Sequence, residues 1–319
     1  MKNFKKFLSA ILPGLIVLAL ASCEKNNNDT KCLIQSRTDY ELVLVDDYDG
    51  TDSLESFYSF SYDANGKLNR LDVDHFLFDD LDYLLFFYDN NGKLKKTEEH
   101  YESFVSKTLF TYEDYKVTGE KWRIYDNENP EPMGVKEVYE LNNLGEIVKI
   151  NHYQKYNEEW RLLLYQDNVW QNGNLVKAET YYHSSKYKED LEKFSTKPIN
   201  PFTGKIIFEE KENIFDPQSI NNNFVKIYTH EITYDDKNNP FFEPHYALGY
   251  TYLTGPLSNN TNNELSATMI IHSSDIGPYR YTFSYEYNLF DYPTVRNVYL
   301  ENDNDTTLTQ ISDIVYDCN

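Results

Sequence analysis

Three cysteines, seven histidines and 52 acidic residues make up most of the chain's stock of chemically active side chains. Their spacing encodes no familiar reaction. The histidines at 75, 100, 152, 183, 230, 245 and 272 never form close pairs, so no HExxH motif occurs. The 12 glycines form no GxSxG elbow, phosphate-cradling Walker loop or GxGxxG turn. His75 and His230 fall on apolar strand faces, where a hydrogen-bonded core histidine is the ordinary role. Carboxylate pairs of the kind that cleave glycosidic bonds can be drawn anywhere in so acidic a chain, so they discriminate nothing. No catalytic residue, metal site or cofactor is assigned.

Two acidic loops bear on calcium. Asp46-Asp-Tyr-Asp-Gly-Thr-Asp52 is rich in oxygen but lacks the third acid before Gly and the distal Glu of an EF-hand loop. It reads as an acidic β-turn, and so does Asn302-Asp-Asn-Asp305. The aromatic residues raise a different chemistry, because sugar rings stack on exposed aromatic faces. Trp122, Trp160 and Trp170, each beside charged or amide side chains, are the candidates to line such a surface. Packing competes for the same residues, since most aromatics must be buried.

The elements positioning these residues read as β. Aromatics are 16% of the chain, with 29 Tyr, while Ala occurs only seven times; a chain short of the best helix former and rich in Tyr, Phe and Thr favours sheet. Tyr281, Phe283, Tyr285 and Tyr287 alternate with polar residues, as do Tyr228, His230, Ile232 and Tyr234, then Tyr246, Leu248, Tyr250 and Tyr252. Leu71, Val73, His75 and Leu77 alternate likewise, and this period of two marks half-buried antiparallel strands.

A loose repeat joins the strands. Phe60-Ser-Tyr-Asp-Ala-Asn-Gly-Lys-Leu68 is followed by Phe87-Tyr-Asp-Asn-Asn-Gly-Lys-Leu94, with Tyr62 and Tyr88 26 residues apart. Degenerate copies run through Phe110–Asp114, Val138–Gly145 and Val169–Leu175. In each, an aromatic strand end meets an Asp or Asn that turns back on its own backbone, and in most a Gly takes the left-handed conformation. The expected fold is all-β: an antiparallel meander of repeated hairpins forming a large twisted or partly closed sheet. Ser185–Ser195 alone shows helical spacing, through Tyr187, Leu191 and Phe194, before Pro198 and Pro201 end it.

The first 22 residues read as an export leader. Lys2, Lys5 and Lys6 precede an apolar stretch from Phe7 to Leu20 that Pro13-Gly14 interrupts, too short for a comfortable membrane span. Leu20-Ala21-Ser22-Cys23 follows and resembles the lipobox of bacterial lipoproteins, which makes Cys23 the expected lipidation site. Without the leader's three lysines the net charge falls from −22 to −25, and this acidity argues against a nucleic-acid partner. Residues 23–31 carry no apolar side chain after the Cys and read as a tether. Residues 32–319 then form one extended β-domain, with a possible subdivision near 184–205.

The Tyr-Asp-x-Asn-Gly-Lys-Leu units resemble YD repeats, short hairpin repeats of large bacterial wall and toxin-shell proteins. The chain as a whole resembles a group of Bacteroidota cell-envelope lipoproteins. That resemblance rests on the lipobox, Tyr234–Phe241 (YDDKNNPF), Tyr285–Pro293 (YEYNLFDYP) and the terminal strand ending Tyr316-Asp-Cys318. It implies an outer-membrane lipoprotein, facing the periplasm or exposed at the surface, and carries no activity with it. Glu24 and Asp29 are a thin version of the acidic surface-export signal some of these lipoproteins carry after the Cys.

The expected role is therefore a lipid-anchored, non-enzymatic envelope protein binding a glycan or a partner protein, with the membrane reached through its lipid. The competing expectation is an envelope hydrolase working with paired carboxylates. Cys32 begins the first strand and Cys318 ends the last, so terminal strands lying side by side would allow a disulfide in an oxidising compartment. Two thiols far apart at the ends of an elongated sheet is the alternative.

Overall fold

The computed structural model describes residues 32–42, 53–75, 81–125, 129–183, 220–221, 224–239, 260–272, 278–302 and 305–318. Every regular element among them is a strand. In chain order these are β1 (Cys32–Leu42), β2 (Ser53–Tyr62), β3 (Leu68–His75), β4 (Leu81–Tyr88), β5 (Leu94–Tyr101), β6 (Phe104–Glu113), β7 (Lys116–Tyr125) and β8 (Glu131–Leu141). Then follow β9 (Ile147–Tyr156), β10 (Glu159–Gln171), β11 (Asn174–His183), β12 (Ile220–Asn221), β13 (Phe224–Tyr234), β14 (Glu264–Ile271), β15 (Tyr279–Tyr287), β16 (Pro293–Asn302) and β17 (Asp305–Cys318).

Neighbours in sequence pair antiparallel from β1 to β11 and from β13 to β17. β11 pairs directly with β13, and the two-residue β12 pairs only with the start of β13. The two strands left over, β1 and β17, pair with each other. The expectation of a twisted or partly closed sheet is thus corrected to a closed β-barrel. The reason is physical: an open meander of this length would leave two rows of unpaired N–H and C=O groups, and closure removes both edges. The helix expected over 185–195, the subdivision near 184–205 and the alternation at 246–252 lie outside the described residues. Leu33–Asp317 form one compact unit; Cys32 and Cys318, joined by a disulfide, are grouped apart from it.

Alternation sorts the side chains into two faces. On the inner face, Tyr58, Leu71, Leu84, Phe86, Phe110 and Tyr139 lead one buried cluster, spread from β2 to β9. Leu175, Ala178, Ile232, Ala267, Tyr281, Phe283 and Val298 form a second, from β11 to β16. A sheet can bury a side chain to this degree on its concave face, where strands from around the barrel converge, and not on an uncovered convex one.

The meander sends the turns after β2, β4, β6, β8, β10 and β15 to one rim, where β1 also begins and β17 ends. This turn rim is built from the sequence repeat. Asp63 Oδ1 accepts the N–H groups of Asn65 and Lys67 at 2.8 and 2.9 Å, and Asp89 repeats the arrangement with Asn91 and Lys93. Gly66 and Gly92 sit at φ +74° and +76°, which a side chain would strain. Asn142 makes the same turn, capturing Leu144 and Glu146 N–H, and Asn288 captures those of Phe290 and Tyr292. Asp291 there stands at φ +61°, in the place a glycine fills elsewhere.

Aromatic groups latch five of the strands to the earlier strand beside them. The Tyr88 hydroxyl donates to the Leu68 carbonyl and that of Tyr112 to the Leu94 carbonyl, both at 2.8 Å. Trp170 Nε1 reaches Ile147 O, Tyr234 reaches Leu175 O, and Tyr316 reaches Pro293 O, at 2.6–2.8 Å. Each donor ends an incoming strand and each acceptor begins the outgoing strand beside it. The recurring Tyr is therefore a fastening, not a surface residue.

Candidate functional site

Two sectors of the inner face carry buried polar groups. In the first, register places Ser106 opposite Arg123, Thr108 opposite Lys121, and Glu137 between Gly119 and His152. The Tyr139 hydroxyl donates to Glu137 at 2.5 Å, and His152 Nδ1 lies 3.3 Å from the other carboxylate oxygen. Burial pushes the Glu137 carboxyl upward, but the His152 hydrogen bond, the Lys121 ammonium and the Tyr139 hydroxyl outweigh it and hold the group down at about 2.

The second sector spans β1, β2, β14, β16 and β17. Arg37 donates through Nε and Nη2 to the two oxygens of Asp39, at 2.6 and 2.5 Å. Arg296 donates to Gln310 Oε1 at 3.0 Å. Register sets Ser56 opposite Asp39 and Ser312 opposite Arg296. The Ser56 and Ser312 hydroxyls and Arg296 Nε are buried without a hydrogen-bond partner. Burial lifts the Glu264 carboxyl to about 7, against the pull of Arg296 and Arg37. This is a carboxyl that changes charge near neutrality.

In each sector one carboxylate is already engaged by neighbouring groups. Glu137 is committed to His152 and Tyr139, and Asp39 to Arg37. Among the described residues, no three His, Cys, Asp or Glu side chains group so as to hold a metal ion.

The outer face is charged. Arg70 pairs with Asp72, Lys96 with Glu98, Lys149 with Asp167, and Glu179 with both Lys177 and Lys226. These partners stand on alternate positions of one strand or across neighbouring strands, and the Asp72 and Asp167 side chains are 41% and 46% exposed. Aromatic rings lie among the cations. Lys136 sits 4.5 Å from the Trp160 ring and 5.2 Å from that of Tyr153, and Tyr165 stacks on Tyr181. At the turn rim the apolar side chains of Leu144 and Leu289 are 82% and 98% exposed, and Tyr115 and Phe290 are 61% and 42% exposed.

The residues singled out from the sequence separate into distinct places. Cys32 and Cys318 have Cα atoms 4.1 Å apart and are bonded through sulfur. His230 lies on the inner face of β13, where burial lowers its pKa to about 4; the side chain of His75 lies outside the described residues. Trp170 is a latch at the turn rim, while Trp122 and Trp160 belong to the outer face. Cys23 and the Asp46–Asp52 loop lie outside the described residues, and so does the middle of the Asn302–Asp305 turn. Glu264 and the Arg37–Asp39 pair were missed. The signal available was Arg and Asp two apart on a strand, hence on one face; nothing local marks that face as inward.

No family model and no curated protein matches the chain. Among solved structures, a porin-like protein from Bacteroides vulgatus overlaps 89% of this chain and 98% of its own, at 13% identity and a TM-score of 0.37. A porin-like protein from Bacteroides uniformis overlaps 89% of this chain and 96% of its own, at 9% identity and a TM-score of 0.35. The Photorhabdus luminescens Tc holotoxin pore overlaps 87% of this chain with 15% of its own, at 12% identity and a TM-score of 0.18. Overlap this loose transfers neither fold nor function.

Proposed function

We propose that the protein is a lipid-anchored cell-envelope binding protein, held by Cys23, whose barrel wall faces water and not lipid. One observation carries this reading: the outer face bears rows of ion pairs, with its aromatic rings lying among the cations, while the two buried hydrophobic clusters lie on the inner face. A membrane-spanning barrel has the opposite sidedness, with an apolar outer band roughly 25 Å tall between aromatic girdles and a polar interior. Charges such as Glu98, Lys136 and Glu179 at mid-strand would each cost energy against hydrocarbon, about 2–4 kcal/mol for a midplane Lys. No described helix is long and apolar enough to cross a membrane.

The ligand we favour is a glycan or a partner protein of the envelope, taken on the outer face. Trp160, 37% exposed and flanked by Lys136, offers the combination of flat ring and hydrogen-bond donor that sugar recognition uses. The experiment is a Cys23→Ala variant compared with the parent by membrane flotation and alkaline extraction. Loss of flotation supports a water-facing barrel held only by its lipid. A variant that stays membrane-embedded would make the wall a transmembrane one and end the proposal. A glycan-array screen of the parent and a Trp160→Ala variant then tests the ligand class.

A further inference from the structure

The turn rim contains a feature that packing does not account for. Four hairpins use one turn geometry, with an Asp or Asn capturing the backbone two and four residues ahead. Its two outermost positions are exposed in every copy. They hold Ala64-Asn65 and Asn90-Asn91 in the first two copies, so the geometry accepts small or polar residues. In the later copies they hold Asn143-Leu144 and Leu289-Phe290. Leu289 is 98% exposed and Leu144 82%, so these side chains stabilise nothing within the barrel.

Topology puts both tips on the rim where β1 begins. If Cys23 carries lipid, the chain between it and Cys32 spans at most roughly 30 Å when fully extended, so this rim, and not the opposite one, is held near the bilayer. An apolar tip kept within reach of a lipid surface meets it at a high effective concentration.

We infer that the turn rim rests on the membrane, with Leu144, Leu289 and Phe290 seated in the interfacial region of the lipid. The inference rests on the lipid-anchor reading above. The contact is apolar in origin, because the tips' neighbours include the acids Asp291 and Glu146 and the chain is strongly negative. It therefore needs no anionic lipid and changes little with salt.

The test uses the full-length lipidated protein in phosphatidylcholine vesicles whose acyl chains carry bromine. Leu289→Trp is compared with the parent and with Glu158→Trp, which lies in the β9–β10 turn at the opposite rim, its side chain 89% exposed. Flotation reports the anchor separately from the rim. With the protein afloat, the added emission of Leu289→Trp should shift to the blue and be quenched by about twofold or more, while that of Glu158→Trp is unchanged. A floating protein with Leu289→Trp no more quenched than Glu158→Trp would overturn the rim contact and leave the anchor standing. A blue shift that grows with protein concentration and ignores bromine would assign the tips to a second copy instead, and also overturns it. Failure to float would remove the anchor and this inference together.

Discussion

The two polar sectors inside the barrel handle a buried carboxylate in opposite ways. Glu137 sits among groups supplied by its own strand and the two beside it, with a hydroxyl from Tyr139, an imidazole from His152 and an ammonium from Lys121. Glu264 lies where the nearest cations already have partners, Arg37 with Asp39 and Arg296 with Gln310. Hydrogen bonding outweighs desolvation at the first site, and desolvation outweighs attraction at the second. The lesson is that burial alone does not set a carboxylate's proton affinity. The first half of the wall meets the charge of Glu137 with neighbouring groups, although Arg123 Nε there is buried without a hydrogen-bond partner. The second half, where the wall closes, buries charge less completely compensated.

The largest expected effect lies at that seam. Cys318→Ser should destabilise the protein by about 3–4 kcal/mol, because the loop it releases has a sequence separation of 286 residues. Hydrogen exchange should then rise first in β14–β17 and β1, with β2–β9 following. Uniform loosening would erase the distinction between the halves, and two free thiols in the denatured, non-reduced parent would remove the bond.

Next in size, the two carboxylates should give pH dependences of opposite sign. Glu264 keeps its proton up to about 7 in the folded protein but releases it near 4.5 when unfolded. Its contribution is therefore present below 4.5 and lost as pH rises through 7. Glu137 releases its proton near 2 when folded, so its contribution is present above 4.5 and lost as pH falls towards 2. At pH 8, Glu264→Gln should stabilise by about 2 kcal/mol and Glu137→Gln should destabilise by a similar amount. Urea titrations of both variants at pH 5 and 8 check this; equal signs at pH 8 would mean the sectors are alike.

Smaller effects test the turns. Gly92→Val should cost about 1 kcal/mol or more, since its φ is +76°. Asp291→Gly should gain a few tenths to about 1 kcal/mol by relieving the same strain in the irregular half. Thermal unfolding of the two variants should move in opposite directions. Smallest is the latch: Tyr112→Phe should cost about 1 kcal/mol or less, the net worth of one hydrogen bond, with the ring left in place.

Much of the wall was legible in sequence. Period-two alternation at Tyr281–Tyr287 sorted the two faces correctly, and Asp63-x-x-Gly66 announced its turn through the residues that make it. The Asn288 turn shows where such reading thins, because Asp291 replaces the glycine while the backbone path is unchanged. Closure was legible only through Cys32 and Cys318, whose bond needs the terminal strands side by side; the pairing of β1 with β17 itself depends on the twist accumulated over the whole meander. The charge balance at Glu264 was hidden for the same reason. Arg37 and Arg296 lie 259 residues apart in sequence, and only the closed wall brings both within electrostatic range of it.

The aromatic latches have a consequence for how such a wall can change size. Each latch joins a strand only to the strand it pairs with, so a unit with its own turn and latch can be duplicated or lost with little rewriting of the rest. Growth is confined to steps of two strands. A single added strand would set β1 and β17 side by side in parallel and carry the chain's end to the opposite rim, away from Cys32. The circumference can therefore drift over evolutionary time by whole hairpins, while the parity of the strand count is fixed by the bond between the first strand and the last.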